Sequence, residues 1–257
     1  MNSYPAPPFD ALTYLGMLGL VAVVLPWAAW VFSAPAPARW LGFMRLLTVM
    51  LLVAAVSAAL AASGLLARVD VQPPAIAVLT LATQALLLWH ALSTRGTLVA
   101  KHATWSALVL LQAFRLPLEL LMLHAAQVGV MPVEFSLAGY NLDVVTGALA
   151  LPLGLLLWRR IAVPPLLVWL WNLWGIACLL VIVGLALATS PNLAFFGSEP
   201  AHLSLWVLRF PYVWLPVLLV GVAVYGQVIV TRKLLQRQAA APHTASAMSP
   251  FMHHHNR

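Results

Sequence analysis

The chain has 257 residues, of which 63% are hydrophobic and only 7% charged, and its mean hydropathy is +0.96. A soluble domain carries roughly 25% charged residues, so there is too little polar surface here to coat a globule in water, and lipid is the solvent for most side chains. A soluble enzyme, a disulfide-stapled secreted scaffold and a disordered protein are excluded, and an all-α integral membrane bundle is expected. The net charge of +7 arises from 13 Lys and Arg against 6 Asp and Glu. These cations are scattered between apolar runs and do not form the exposed basic patch that nucleic acid requires.

A bilayer core of about 30 Å takes about 20 apolar helical residues to cross. Seven runs approach or exceed that length, at residues 12–32, 43–66, 74–92, 98–124, 142–158, 164–188 and 205–230. Breakers separate them: SAPAPA at 33–38, QPP at 72–74, STRG at 93–96 and VPP at 163–165. No Lys or Arg precedes the first run, and its apolar stretch is too long for a signal peptide, so a retained helix is expected. Residues 1–238 are expected to form one seven-helix domain. The last segment, 239–257, is rich in Ala, Pro, Ser and His and is expected to be a disordered cytoplasmic tail. Within it, His243 and the run at 253–255, with Met248 and Met252, could bind a divalent metal only adventitiously.

Orientation follows from the bias of Lys and Arg toward cytoplasmic loops. With the amino terminus outside, the inner segments hold Arg39, Arg45, Arg95, Lys101, Arg159, Arg160, Arg232, Lys233, Arg237 and Arg257, ten of thirteen cations. Arg68 alone falls in an outer loop, while Asp10, Asp70, Glu134 and Glu199 all lie outside.

An ionisable side chain at bilayer depth costs at least about 2.5 to 3.5 kcal/mol, so it faces the bundle interior beside a partner. In the fourth run Gln112, Arg115 and Glu119 follow one another at three and four residues, which places them on one helix face with Pro117 between them. Two readings stand side by side: an internal Arg115–Glu119 pair that pins helix packing, or one wall of an outward-opening polar pocket. Asn141 and Asp143 enter the fifth run, where capping of the helix amino end explains both. Arg209 lies among Trp206, Tyr212 and Trp214 near the outer start of the seventh run, as a snorkelling arginine in an aromatic belt does. Arg115, Glu119, Asp143 and Arg209 at one depth would balance as two cations and two anions.

The fragments FRLPLEL, VMPVEFSLAGYNLDVVTG, WNLWG and RFPYVWLP, spread over residues 105–220, resemble a family of uncharacterised bacterial inner-membrane proteins of this size. The resemblance implies a shared multi-pass fold and carries no activity.

His90 and His102 on the inner side and His124 and His202 on the outer side formally make two pairs, as a two-haem transmembrane cytochrome needs, although all four lie at the ends of the runs. Cys178, the one cysteine, is expected to be a buried structural thiol. The lysines Lys101 and Lys233 both sit at inner ends, which removes a retinal Schiff base, and no zinc, nucleophile-elbow or phosphate-loop motif is present. In WLWNLWG the tryptophans fit interfacial anchoring, and Asn172 fits a bond to a neighbouring helix. The expected function is therefore to bind, sense or help move a small ligand or proton through an outward-facing pocket of Gln112, Arg115, Glu119, Asn141, Asp143 and Arg209, without a catalytic motif. The competing readings are a b-type haem redox carrier and a structural subunit docking a partner membrane protein.

Overall fold

A computed structural model describes residues 7–33, 38–69 and 71–239. Asp70, the segment 240–257 and with it His243 and the histidine run at 253–255 lie outside the described residues. The described chain is helical: α1 Ala11–Phe32, α2 Arg39–Ala62, α3 Ala75–Leu92, α4 Thr94–His102, α5 Trp105–Leu111, α6 Arg115–Gln127, α7 Asp143–Trp158, α8 Pro165–Ala188 and α9 Val220–Ala239. Six segments are long and apolar enough to cross a membrane, counting Trp105–Gln127 and Leu215–Ala239 as single rods. These helices mark a multi-pass membrane protein.

Hydrogen bonds between distant segments show that the rods they join run in opposite directions. His124 at the end of α6 meets Asp10 at the start of α1, Gln72 before α3 meets Asn192 after α8, and His202 before α9 meets Glu134 after α6. These contacts gather Asp10, Glu134 and their neighbours at an acidic end. Arg95, Lys101, Arg159, Arg160, Arg232 and Lys233 collect at the opposite, basic end, where Arg232 donates to the carbonyls of Ala91 and Ser93.

Three boundaries differ from the sequence expectation. The first residues of the run expected from Leu98 belong to a separate short helix, α4, and the rod itself starts at Trp105, where the Thr104 hydroxyl accepts from the amide of Ala107 at 3.2 Å as an N-cap. The run expected from Leu205 contains only a 3₁₀ turn and loop up to Trp214, and helix begins at Leu215 and extends to Ala239. Pro211 and Pro216 each lack an N–H, and their rings block continuation of a helix toward Leu205. Residues 215–219 are wound as a π-helix, and the Pro216 carbonyl is taken up by Gln84 of α3 at 2.9 Å. Lastly, α2 starts at Arg39 and stops at Ala62, ahead of Gly64, whose φ of +75° ends the rod.

The expected fifth crossing is the short one. α7 has 16 residues, about 24 Å at 1.5 Å per residue. Its small face packs antiparallel against the α5–α6 rod, with Gly147 against the backbone of Leu116 and Gly154 against Leu110. This register puts Asp143 level with Glu119 and Leu120, so α6 continues about 10 Å beyond the amino end of α7. The connection from Val128 to Leu142 therefore descends into the bundle. Met131, Glu134, Phe135, Ser136 and Asn141 along it are buried, which is how non-helical backbone is accommodated at membrane depth.

Candidate functional site

Pro117 cannot donate to the carbonyl of Ala113, and its ring crowds that carbonyl. The rod accordingly tightens into a 3₁₀ turn at Gln112–Phe114 before α6 resumes at Arg115. The expected face is present: Gln112, Arg115 and Glu119 are all buried, with Arg115 at 0% and Glu119 at 1% exposure.

Their partners come from elsewhere in the chain. Arg115 Nη1 donates to Asp143 Oδ1 at 2.9 Å. Glu119 Oε2 accepts from Asn141 Nδ2 at 2.8 Å, and the same amide nitrogen reaches the carbonyl of Phe135 at 3.0 Å. Asn141 Oδ1 in turn accepts from the amide of Asp143 at 3.1 Å. Asn141 thus caps the amino end of α7 and holds Glu119, so capping and site-building are one act. The expected Arg115–Glu119 pair gives way to Arg115–Asp143, because the descending connection delivers a carboxylate better aimed than one four residues along the same helix. The positive end of the α7 dipole faces both carboxyls.

Arg209 is exposed, in the loop before the π-helix, and is not among the residues lining the site. Without it the expected balance of two cations and two anions becomes one guanidinium and two carboxyls. Arg115 also keeps Nε and Nη2 buried and without a hydrogen-bond partner among the described residues.

Beside this set is a cavity of about 20 Å³ lined by Arg115, Glu119 and Asp143, by Leu179 and Ile182 of α8, and by Leu215 and Leu219 of the π-helix. A cavity of about 10 to 15 Å³ holds one water, so this one suits a single water and not a metabolite. A π-turn in a membrane rod often accompanies a functional site. A larger open groove of about 560 Å³ lies between Tyr140, Phe195, Phe196 and the acidic end of α8. It is apolar and separate from the charged set.

Toward the basic end the interior stays polar, through residues the sequence did not single out. Thr146 and Gln227 are buried with Gln112 and Asn172. Gln112 lies over Gly226 of α9, and Gln227 lies over Gly175 of α8 beside Thr146. Asn172 donates to Thr231 at 2.7 Å, and Thr231 donates to the carbonyl of Gln227 at 2.9 Å. The sequence signal for Gln227 was a lone amide after glycine inside VYGQVIV.

Of the four histidines, His90 contacts the Tyr225 hydroxyl at 3.1 Å, His124 contacts Asp10 at 3.1 Å, and His202 contacts Glu134 at 2.7 Å. His102 is exposed at the end of α4. Asp10 caps α1, and the amide and hydroxyl of Thr13 donating to its carboxylate hold it below its ordinary pKa of 3.8.

The family model described as Domain of unknown function (DUF8737) matches residues 73–235, more than half of the chain, and the chain belongs to that family. The match takes in α3 to α8, most of α9 and the whole buried polar set, and leaves α1 and α2 outside it. No curated protein and no solved structure matches the chain.

Proposed function

We propose that this chain is a multi-pass protein of the bacterial inner membrane, crossing seven times with its amino end outside, and that Glu119 binds a proton in a buried intramembrane site. The charge segregation between the two ends supports the orientation. The crossing that brings the six long rods to seven is α7, fifth in chain order, whose missing length is made up by the buried connection from Val128 to Leu142.

The observation that carries the proton reading is the charge count in a buried space the size of one water. One guanidinium faces two carboxyls, and one additional positive charge brings the set to neutrality in a medium where an unbalanced ion is expensive. Among the described residues the neighbouring elements offer no other charge to Glu119: α9 and the π-helix present Leu215, Leu219, Val220 and Ala223, and α8 presents Leu179, Ile182 and the nearby thiol of Cys178. Asp10 and Glu134 are paired with His124 and His202 at the acidic end, away from the cavity.

The test is infrared difference spectroscopy of the protein in lipid nanodiscs, titrated from alkaline to acid pH. A protonated-carboxyl C=O band should grow in the wild type and be missing from Glu119→Gln, which keeps an acceptor for Asn141. A band that survives unchanged in Glu119→Gln overturns the assignment.

A further inference from the structure

We infer that Gln112 and Gln227, with Thr146, Asn172 and Thr231, bind a short file of water that links Glu119 to the basic end of the bundle, so that the proton held by Glu119 exchanges with that side. This rests on the proton-site reading above and adds the route by which the proton leaves.

Gln112 and Gln227 are 0% and 1% exposed, and both the oxygen and the nitrogen of each side chain lack a hydrogen-bond partner among the described residues. Neither amide therefore bonds to the other. Asn172 Oδ1 and Thr146 Oγ1 are buried and unpartnered as well. Buried amides without partners destabilise a protein, whereas an apolar side chain of the same shape does not. Four such groups converging from α5–α6, α7, α8 and α9 supply donors and acceptors together, with no charge at their own level. That chemistry suits a small neutral ligand able both to donate and to accept, which is water, and hydrogen-bonded water passes protons.

The order along the helices gives the route. Stepping toward the basic end, Glu119, Arg115 and Gln112 follow at one-turn intervals on the α5–α6 rod. On α9 Ala223 borders the Glu119 cavity, Gly226 meets Gln112, Gln227 meets Gly175 and Thr146, and Thr231 one turn on receives Asn172. The next two residues are Arg232 and Lys233, at the basic end. Gly226 and Gly175 lack the Cβ that would occupy the space in which the amides lie.

The experiment follows hydrogen–deuterium exchange of the Glu119 carboxyl band in nanodiscs after a jump into D₂O, in the wild type and in Gln112→Met, Gln227→Met and the double variant. Methionine matches glutamine in volume, so these proteins should fold with an unchanged or higher melting temperature. Exchange should slow at least tenfold in the double variant, and Gln227→Thr, which restores a hydroxyl, should recover part of the rate. A Glu119 band that exchanges as fast in the double variant as in the wild type overturns the water file and leaves the proton site standing. A wild type with no Glu119 band overturns both.

Discussion

Two helix ends in this bundle have charged side chains gathered at them, with opposite results. At the basic end, Arg232 donates to the carbonyls of Ala91 and Ser93 that close α3 and to the hydroxyl of Thr97, while Lys233 donates to the carbonyl of Ala100 in α4 at 2.7 Å. Cations on helix carboxyl ends complement the dipole, and Arg232 is only half-buried there. At the amino end of α7 the signs are reversed. Two carboxyls lie level with the helix start, whose first amide donates to neutral Asn141; the cation that pairs with one of them is fully buried, and two of its nitrogens have no partner among the described residues. Charge fastens the helix end in one place, and in the other charge and hydrogen-bonding capacity are left unspent where water barely fits.

The largest effect separating the two is expected at Arg115. Arg115→Leu leaves Asp143 as an unpaired buried charge, which costs on the order of 3 to 5 kcal/mol, and the melting temperature in detergent should fall accordingly. Gly147→Ala comes next. Its new Cβ would run into the backbone of Leu116, and overpacking of this kind costs about 1 to 3 kcal/mol. It should also loosen the register that holds Asp143 level with Glu119, read as faster exchange of the Asp143 amide.

At the fastened end, Arg232→Met should cost about 1.5 kcal/mol, the low end for hydrogen bonds to a charged group because the site is half open. A thermal melt checks this, with the Glu119 infrared band unchanged. The smallest effect is at Asp10. Its carboxyl titrates below its unfolded value, so its contribution is fully present above pH 3.8 and is lost as pH falls through the lower folded value. The protection of the Thr13 amide, the intrinsic exchange rate divided by the observed one at each pH, should therefore fall below about pH 3.8 in the wild type and be low at all pH in Asp10→Ala.

Much of this contrast was legible in the residues. The apolar runs gave the rods, and the spacing of Gln112, Arg115 and Glu119 gave one buried face, since polar residues at membrane depth turn inward. Asn141 and Asp143 stood out as caps. Their depth did not, because the descent of Val128–Leu142 depends on the antiparallel register set by Gly147 and Gly154, and helical periodicity carries no information about register between helices. For the same reason the i, i+4 neighbour Glu119 looked like the partner of Arg115, when a carboxylate 28 residues along the chain is. Arg209 was expected near the outer start of the seventh run, at one depth with Arg115, but Pro211 and Pro216 postpone the last rod and leave that arginine in an exposed loop. Gln227 and Thr146 passed unnoticed as single polar residues on separate helices, and only packing brings them together.

The pairing at the amino end of α7 is the centre of this account, and a double-mutant cycle on unfolding free energy tests it most directly. Arg115→Leu combined with Asp143→Leu should recover much of the loss caused by Arg115→Leu alone, because no unpaired partner charge remains. Arg115→Leu combined with Glu119→Leu should recover little, since Asp143 stays buried without its cation. Recovery in the Glu119 combination and none in the Asp143 combination would contradict the account and return Arg115 to its neighbour on the same helix.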